Sequence, residues 1–202
     1  MTIHFVNILS WQYFAGKKNS NMYIYIDGFI LVNALRAFEF YTKKQSGLVY
    51  YQKMDKSNIG YILRGPSTIK DSIVCPFWEK TNDVHITPEI LSFVSKYDKI
   101  IIGISAPKQD ELAILLNNEF PDKYYYCLGA ALYTRPFNLS DSVFNTWISN
   151  LYVDPKRTLI KFYLSVKEVF KLMTRKSTRI SFSKFISCKL IEANSSCSIR
   201  HL

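Results

Sequence analysis

The chain has 202 residues, 48% of them hydrophobic, which is enough to bury one full core and fits a single domain with a tail. Its formal net charge of +10 is segregated: beyond Leu151 the bases Lys156, Arg157, Lys161, Lys167, Lys171, Arg175, Lys176, Arg179, Lys184, Lys189 and Arg200 face only Asp154, Glu168 and Glu192, the pattern of an interaction surface. No apolar run reaches the roughly 18 residues a spanning helix needs, and no basic region precedes the apolar start, so the expectation is a cytoplasmic protein able to sit on a membrane.

In chain order, Ile3 to Ile8 reads as a first strand. Met22 to Ile26, Ile59 to Leu63, Ile100 to Ile104 and Tyr124 to Leu128 follow, each rich in Ile and Tyr and short enough for a buried strand. Helical patterns lie between them, the first over Ile69 to Trp78. Thr87-Pro88-Glu89 opens the next: Thr caps, Pro occupies the first turn, Glu suits the positive end, and Ile90, Phe93 and Val94 supply the apolar face. Another follows over Pro107 through Glu119, burying Leu112, Leu115 and Leu116. Strands alternating with helices predict an α/β fold with a mostly parallel sheet covered on both faces. Residues 1–158 form this domain and 159–202 a basic helical appendage, in which Phe162, Val166, Val169, Phe170 and Met173 recur at helical spacing, bordered by Lys161, Lys167, Lys171 and Arg175. Such a helix either packs on the core or lies in an anionic bilayer surface, the latter being favoured because stripe and charge coincide.

Cys75, Cys127, Cys188 and Cys197 show no Cys-x-x-Cys spacing, and His4, His85 and His201 stand too far apart to suggest a ligand set. Reduced structural thiols and no metal are expected.

In parallel sheets the loops leaving the carboxyl ends of the strands form the ligand crevice. Those loops here are Asp27-Gly28, Arg64-Gly65-Pro66-Ser67, Ser105-Ala106-Pro107-Lys108-Gln109-Asp110-Glu111 and Gly129-Ala130-Ala131. An acid, a base, an amide and glycine-lined backbone would converge on one edge, a layout that holds a nucleotide diphosphate without a metal.

Gly103-Ile104-Ser105-Ala106-Pro107-Lys108-Gln109-Asp110 resembles the G-x-G-x-P-K-Q-E signature of the WecG/TagA/CpsF glycosyltransferases, glycosyltransferase family 26. Asp27-Gly28 sits where that family's D-G-x-G motif falls, and Trp147 through Asp154-Pro155-Lys156-Arg157 resembles its E-W-x-x-R-L-x-x-[DE]-P-x-R segment, all in the family's order. The resemblance implies a Rossmann-like α/β domain, shortened at its start, whose C-terminal appendage contacts the membrane. It implies that Asp27 is the general base, since a sugar hydroxyl attacks well only when a carboxylate takes its proton. Donor contacts would fall to Asn7, Gly28, Ser105, Pro107, Lys108, Gln109, Gly129, Ala130 and Arg157. The chain departs from the pattern at Phe5, where the family has Thr, at Ile30 for the second glycine of D-G-x-G, at Tyr133 for an acid and at Thr146 for Glu.

Each residue also has a plainer reading. Asp27 before a glycine is equally a turn former or a helix cap. Asp110 and Glu111 suit any helix N-terminus, Arg64 suits an exposed loop, and Arg157 could pair with Asp154. The expectation is an inverting, metal-independent transferase that needs no cofactor. It would move an N-acetylmannosamine-type or other hexose from a UDP-sugar to a polyprenyl-diphosphate saccharide, working on the inner face of the plasma membrane in bacterial polysaccharide synthesis. A catalytically silent, membrane-bound scaffold of the same family is the alternative. A nucleic-acid-binding protein is the more remote one, because the bases cluster on an apolar-striped helix and no RNP, zinc-finger or helix-turn-helix signature occurs.

Overall fold

The computed structural model describes residues 1–15, 21–27, 29–37, 46–129, 151–152 and 155–195. Six strands, Thr2–Val6 (β1), Met22–Ile26 (β2), Ile59–Leu63 (β3), Ser72–Val74 (β4), Lys99–Gly103 (β5) and Tyr124–Cys127 (β6), form one sheet. Its order is β2-β1-β6-β5-β3-β4, and every neighbouring pair is parallel. The helices are Trp11–Phe14 (α1), Phe29–Ala37 (α2), Gly47–Lys53 (α3), Pro88–Val94 (α4), Lys108–Glu119 (α5), Pro155–Thr174 (α6) and Lys176–Ser195 (α7). This is a Rossmann-like α/β fold, and the expected strands lie within a residue or two of their observed bounds.

Ile69 to Trp78 is not a helix. Asp71 there adopts a left-handed backbone (φ 56), which interrupts any helix, and Ser72–Val74 pairs with β3 through Tyr61↔Ser72, Ile62↔Ile73 and Leu63↔Val74. Pro76, two residues beyond β4, further excludes a continuous helix. At α4 the expected start is present: Thr87 accepts the Ile90 amide at 3.4 Å and Pro88 occupies the first turn.

The strands divide their side chains between two faces, as period-2 geometry requires. Ile3, Phe5, Ile59, Tyr61, Leu63, Ile101 and Tyr126 point to the face covered by Tyr50, Tyr51 and the neighbouring Met54 at the end of α3. The other face carries Ile62, Ile100, Ile102, Tyr125 and Cys127 under α4 and α5. Its left part carries Val6, Met22, Ile24 and Ile26 under Trp11, Phe14, Leu31 and Leu35, together with Leu172 of α6 and Phe182 and Phe185 of α7. The core therefore continues into the C-terminal helices, where Trp11 meets Phe182 edge-on at 4.8 Å between ring centroids.

Close approach explains Gly60. A Cβ there would lie 2.6 Å from a Tyr97 ring carbon and 2.9 Å from one of Phe93, so glycine lets the end of α4 rest directly on β3.

A single row of side chains crosses this second face from edge to edge. Registers align Ile24, His4, Cys127, Ile102, Ile62 and Ile73 on β2, β1, β6, β5, β3 and β4. Isoleucine fills every place but two, the neighbouring positions on β1 and β6.

Candidate functional site

β3 leads outward to β4, whereas its neighbour β5 leads through α5 the other way to β6. The connections diverge there, which is where open parallel sheets hold ligands, outside the carboxyl ends of the strands. Along that edge the strand order sets Asp27 (after β2), Asn7 (after β1), Gly129 (after β6), Ser105 (after β5) and Arg64 (after β3) in sequence. At a spacing of about 4.8 Å per strand, Asp27 and the start of α5 are about 14 Å apart along the edge, so one ligand reaching both would have to be extended.

The Asp27 amide donates to the Val6 carbonyl at 2.8 Å, fixing this residue against the end of β1, and its side chain is half-buried. Asn7 is exposed, but its Oδ1 accepts the Leu9 amide at 2.9 Å and its carbonyl accepts the amides of Ser10 and Trp11. Its local role is thus to turn the chain from β1 into α1. Ser105 is exposed and Pro107 half-buried. Lys108 reaches sideways: its ammonium donates to the Trp78 carbonyl and sits 5.3 Å from the Phe77 ring centroid. Gln109 is buried. Its Nε2 donates to the Cys127 carbonyl at 3.3 Å and its Oε1 has no partner. Gly129 holds a left-handed backbone (φ 54), and a Cβ on it would lie 3.1 Å from that Oε1. Arg64 is exposed. Gly28, Ala130 and the segment from Trp147 to Asn150 lie outside the described residues, as do Tyr133, Thr146 and Asp154; Arg157 lies in the first turn of α6.

Glu111 takes part differently from expectation. The Tyr13 hydroxyl donates to its carboxylate, tying α1 to α5, and burial first, then this contact, pushes the Tyr13 phenol well above its ordinary value.

α6 is oriented opposite to a helix that buries its apolar stripe. Its inward residues are Ser165, Glu168 and Leu172. Glu168 accepts from Gln12 of α1 and pairs with Lys171 at 3.0 Å. Outward stand Phe162 (49% exposed), Val166 (50%), Phe170 (65%) and Met173 (72%), with only Val169 of the expected stripe packed against the core. Lys156, Lys161 and Lys167 on α6, Arg175 between the helices, and Lys176, Arg179 and Lys184 on α7 are exposed. No helix among the described residues is long and apolar enough to cross a membrane.

Sequence separation hid one constellation. His4 and Cys127 are register partners on β1 and β6, and Asp110 comes down on them from the first turn of α5. His4 Nδ1 lies 2.8 Å from Asp110 Oδ1, and all three side chains are buried. Cys127 donates its thiol to the Gln109 carbonyl at 3.6 Å. Burial first, then the charge and hydrogen bond of Asp110, pushes this thiol well above its ordinary range. His4 Nε2 has no partner, and the ring packs edge-on to Phe14 at 5.1 Å. Cys75 is likewise a free, buried thiol.

No protein-family model, curated protein or solved structure matches the chain.

Proposed function

We propose that this protein is an inverting glycosyltransferase working at a membrane surface, which moves a hexose from a UDP-sugar to a polyprenyl-diphosphate-linked saccharide. The observation that carries the reading is the alignment of Asp27, Asn7, Gly129 and Ser105 along the carboxyl edge of one parallel sheet, in the strand order 2-1-6-5. Asp27 lies at one end, and the α5 N-terminus, with its positive dipole, lies toward the other. An extended nucleotide sugar suits that span, with its diphosphate over the glycine and helix end and its sugar toward the carboxylate.

In this reading Asp27 takes the proton of an acceptor hydroxyl as that oxygen attacks the anomeric carbon from the side opposite the diphosphate. The new C–O bond forms as the bond to phosphate breaks, UDP leaves with the electron pair, and the anomeric configuration inverts. The chemistry uses no metal. Gly28, Ala130 and Arg157 complete the donor contacts in the same reading. Burial of Gln109 supports a role in shaping the Gly129 turn, and direct donor contact would need its side chain to turn outward.

The outward apolar face of α6, flanked by exposed lysines and arginines, supports docking on the inner face of the plasma membrane, where a lipid-linked acceptor resides. The deciding experiment incubates purified protein with a panel of UDP-sugars and synthetic polyprenyl-diphosphate saccharides, following UDP release and product by mass spectrometry. Transfer from at least one donor is expected. Neither transfer nor hydrolysis from any donor would instead favour a silent scaffold, the reading for which Phe5 and Tyr133 speak.

A further inference from the structure

We infer that His4, Asp110 and Cys127 form a buried binding site for one zinc ion that staples α5 to the centre of the sheet. Three elements distant in sequence supply the donors: a strand interior, the end of the neighbouring strand, and the first turn of the covering helix. In the cross-sheet row of Ile24, His4, Cys127, Ile102, Ile62 and Ile73, imidazole and thiol replace isoleucine only where Asp110 descends. A core with no use for polarity would continue the isoleucines.

Geometry and charge agree with zinc. The nitrogen, oxygen and sulfur donor atoms lie within 4.8 Å of one another. Tetrahedral zinc, with bonds of about 2.0–2.3 Å, sets its ligand atoms about 3.3–3.7 Å apart, so closure needs side-chain shifts of about an ångström. In the core the imidazole Nδ1 faces Asp110 and Nε2 faces no polar partner, so the protein alone does not satisfy both nitrogens of the buried ring. A zinc ion with a thiolate, a carboxylate and a neutral imidazole carries no net charge, which suits a site sealed from water. It also removes the proton that burial otherwise holds on Cys127. A ligand set of imidazole, thiolate and carboxylate matches zinc better than calcium or magnesium, which take oxygen. The ion is structural, its fourth tetrahedral position taken by a water enclosed with it. It enters as the chain folds, because the assembled site has no opening, and it stands apart from the transfer chemistry at the carboxyl edge.

The test uses the full chain, purified under reducing conditions, with metal content measured by plasma mass spectrometry and the demetallated, refolded protein titrated with cobalt(II). About one zinc per chain is expected, and cobalt should give a near-ultraviolet thiolate-to-metal band with tetrahedral visible absorption. A variant with Cys75, Cys188 and Cys197 all changed to serine keeps Cys127 alone and should retain both. Asp110→Asn should lower zinc affinity at least about tenfold. Folded wild type that takes up neither metal overturns the site, as does a cobalt band missing from the variant holding Cys127 alone. Neither readout depends on glycosyl transfer, so the site can fail while the transferase reading stands, and the reverse.

Discussion

His4 and Asp110 stand 106 residues apart and meet at 2.8 Å in the protein interior, imidazole Nδ1 against carboxylate Oδ1. Removing the carboxylate leaves a buried ring nitrogen with nothing opposite it. Asp110→Ala should therefore lower stability by about 3 kcal/mol, and Asp110→Asn, which keeps an oxygen acceptor, by less. Urea unfolding checks this: the midpoint falls at unchanged slope, and a midpoint equal to wild type for Asp110→Ala would contradict the pairing.

Gly129 combines a left-handed φ of 54 with a Cβ position 3.1 Å from Gln109 Oε1 and 3.3 Å from the Ile104 carbonyl. Gly129→Ala should destabilise by about 1–2 kcal/mol from backbone strain, with Gln109 displaced. A thermal melt matching wild type would show that the turn relaxes freely.

Alkaline pH should unfold the protein through its buried phenols. Burial first, then neighbouring tyrosines beginning with Tyr50, pushes Tyr126 up to about 12, and burial raises Tyr125 as well. The folded value lies above that of the unfolded chain, about 10, so the stability is intact below pH 10. It is lost as pH rises from there toward 12, by up to about 1.4 kcal/mol per pH unit for each such tyrosine. Phenolate absorbance and far-ultraviolet circular dichroism, followed together, should show one set of phenols ionising only as helix signal disappears. All phenols titrating near pH 10 with the helix signal intact would refute this.

Asp27→Asn removes the basic carboxylate while preserving shape at the end of β2. Transfer in the donor screen should fall roughly 10²–10⁴-fold with the melting temperature little changed. Activity within about threefold of wild type would remove Asp27 from the general-base role.

Val166→Glu/Phe170→Glu changes two side chains that point outward from α6, so stability should hardly move. Binding to vesicles containing anionic lipid should drop sharply, because apolar area is lost and negative charge is added beside the bases. Wild-type binding should itself weaken steeply between low salt and about 0.5 M. Vesicle binding by the double variant equal to wild type would place the docking surface elsewhere, and unfolding would show that the face belongs to the core.

Much of this architecture was legible locally. Runs such as Met22–Ile26 and Ile59–Leu63 announce strands because buried parallel strands are continuous and rich in β-branched and aromatic residues. Thr87-Pro88 announces α4 because capping and the proline ring act over a few residues. β4 escaped notice because three residues carry no readable period, and what makes Ser72–Val74 a strand is the open edge of β3 beside it.

The sequence by itself determined five of the six strands, the start of α4, the parallel α/β class and the basic C-terminal end, because periodicity, capping and charge are properties of neighbouring residues. Only the tertiary structure decided what meets what. Register, which no local pattern encodes, brought His4 beside Cys127 and under Asp110, and turned a histidine and a thiol that look isolated in the chain into one buried cluster. The docking of α6 was decided the same way. Gln12 of α1 binds Glu168 and Leu172 packs into the core, the helix is rotated to keep those contacts, and the apolar stripe that periodicity alone would bury faces out.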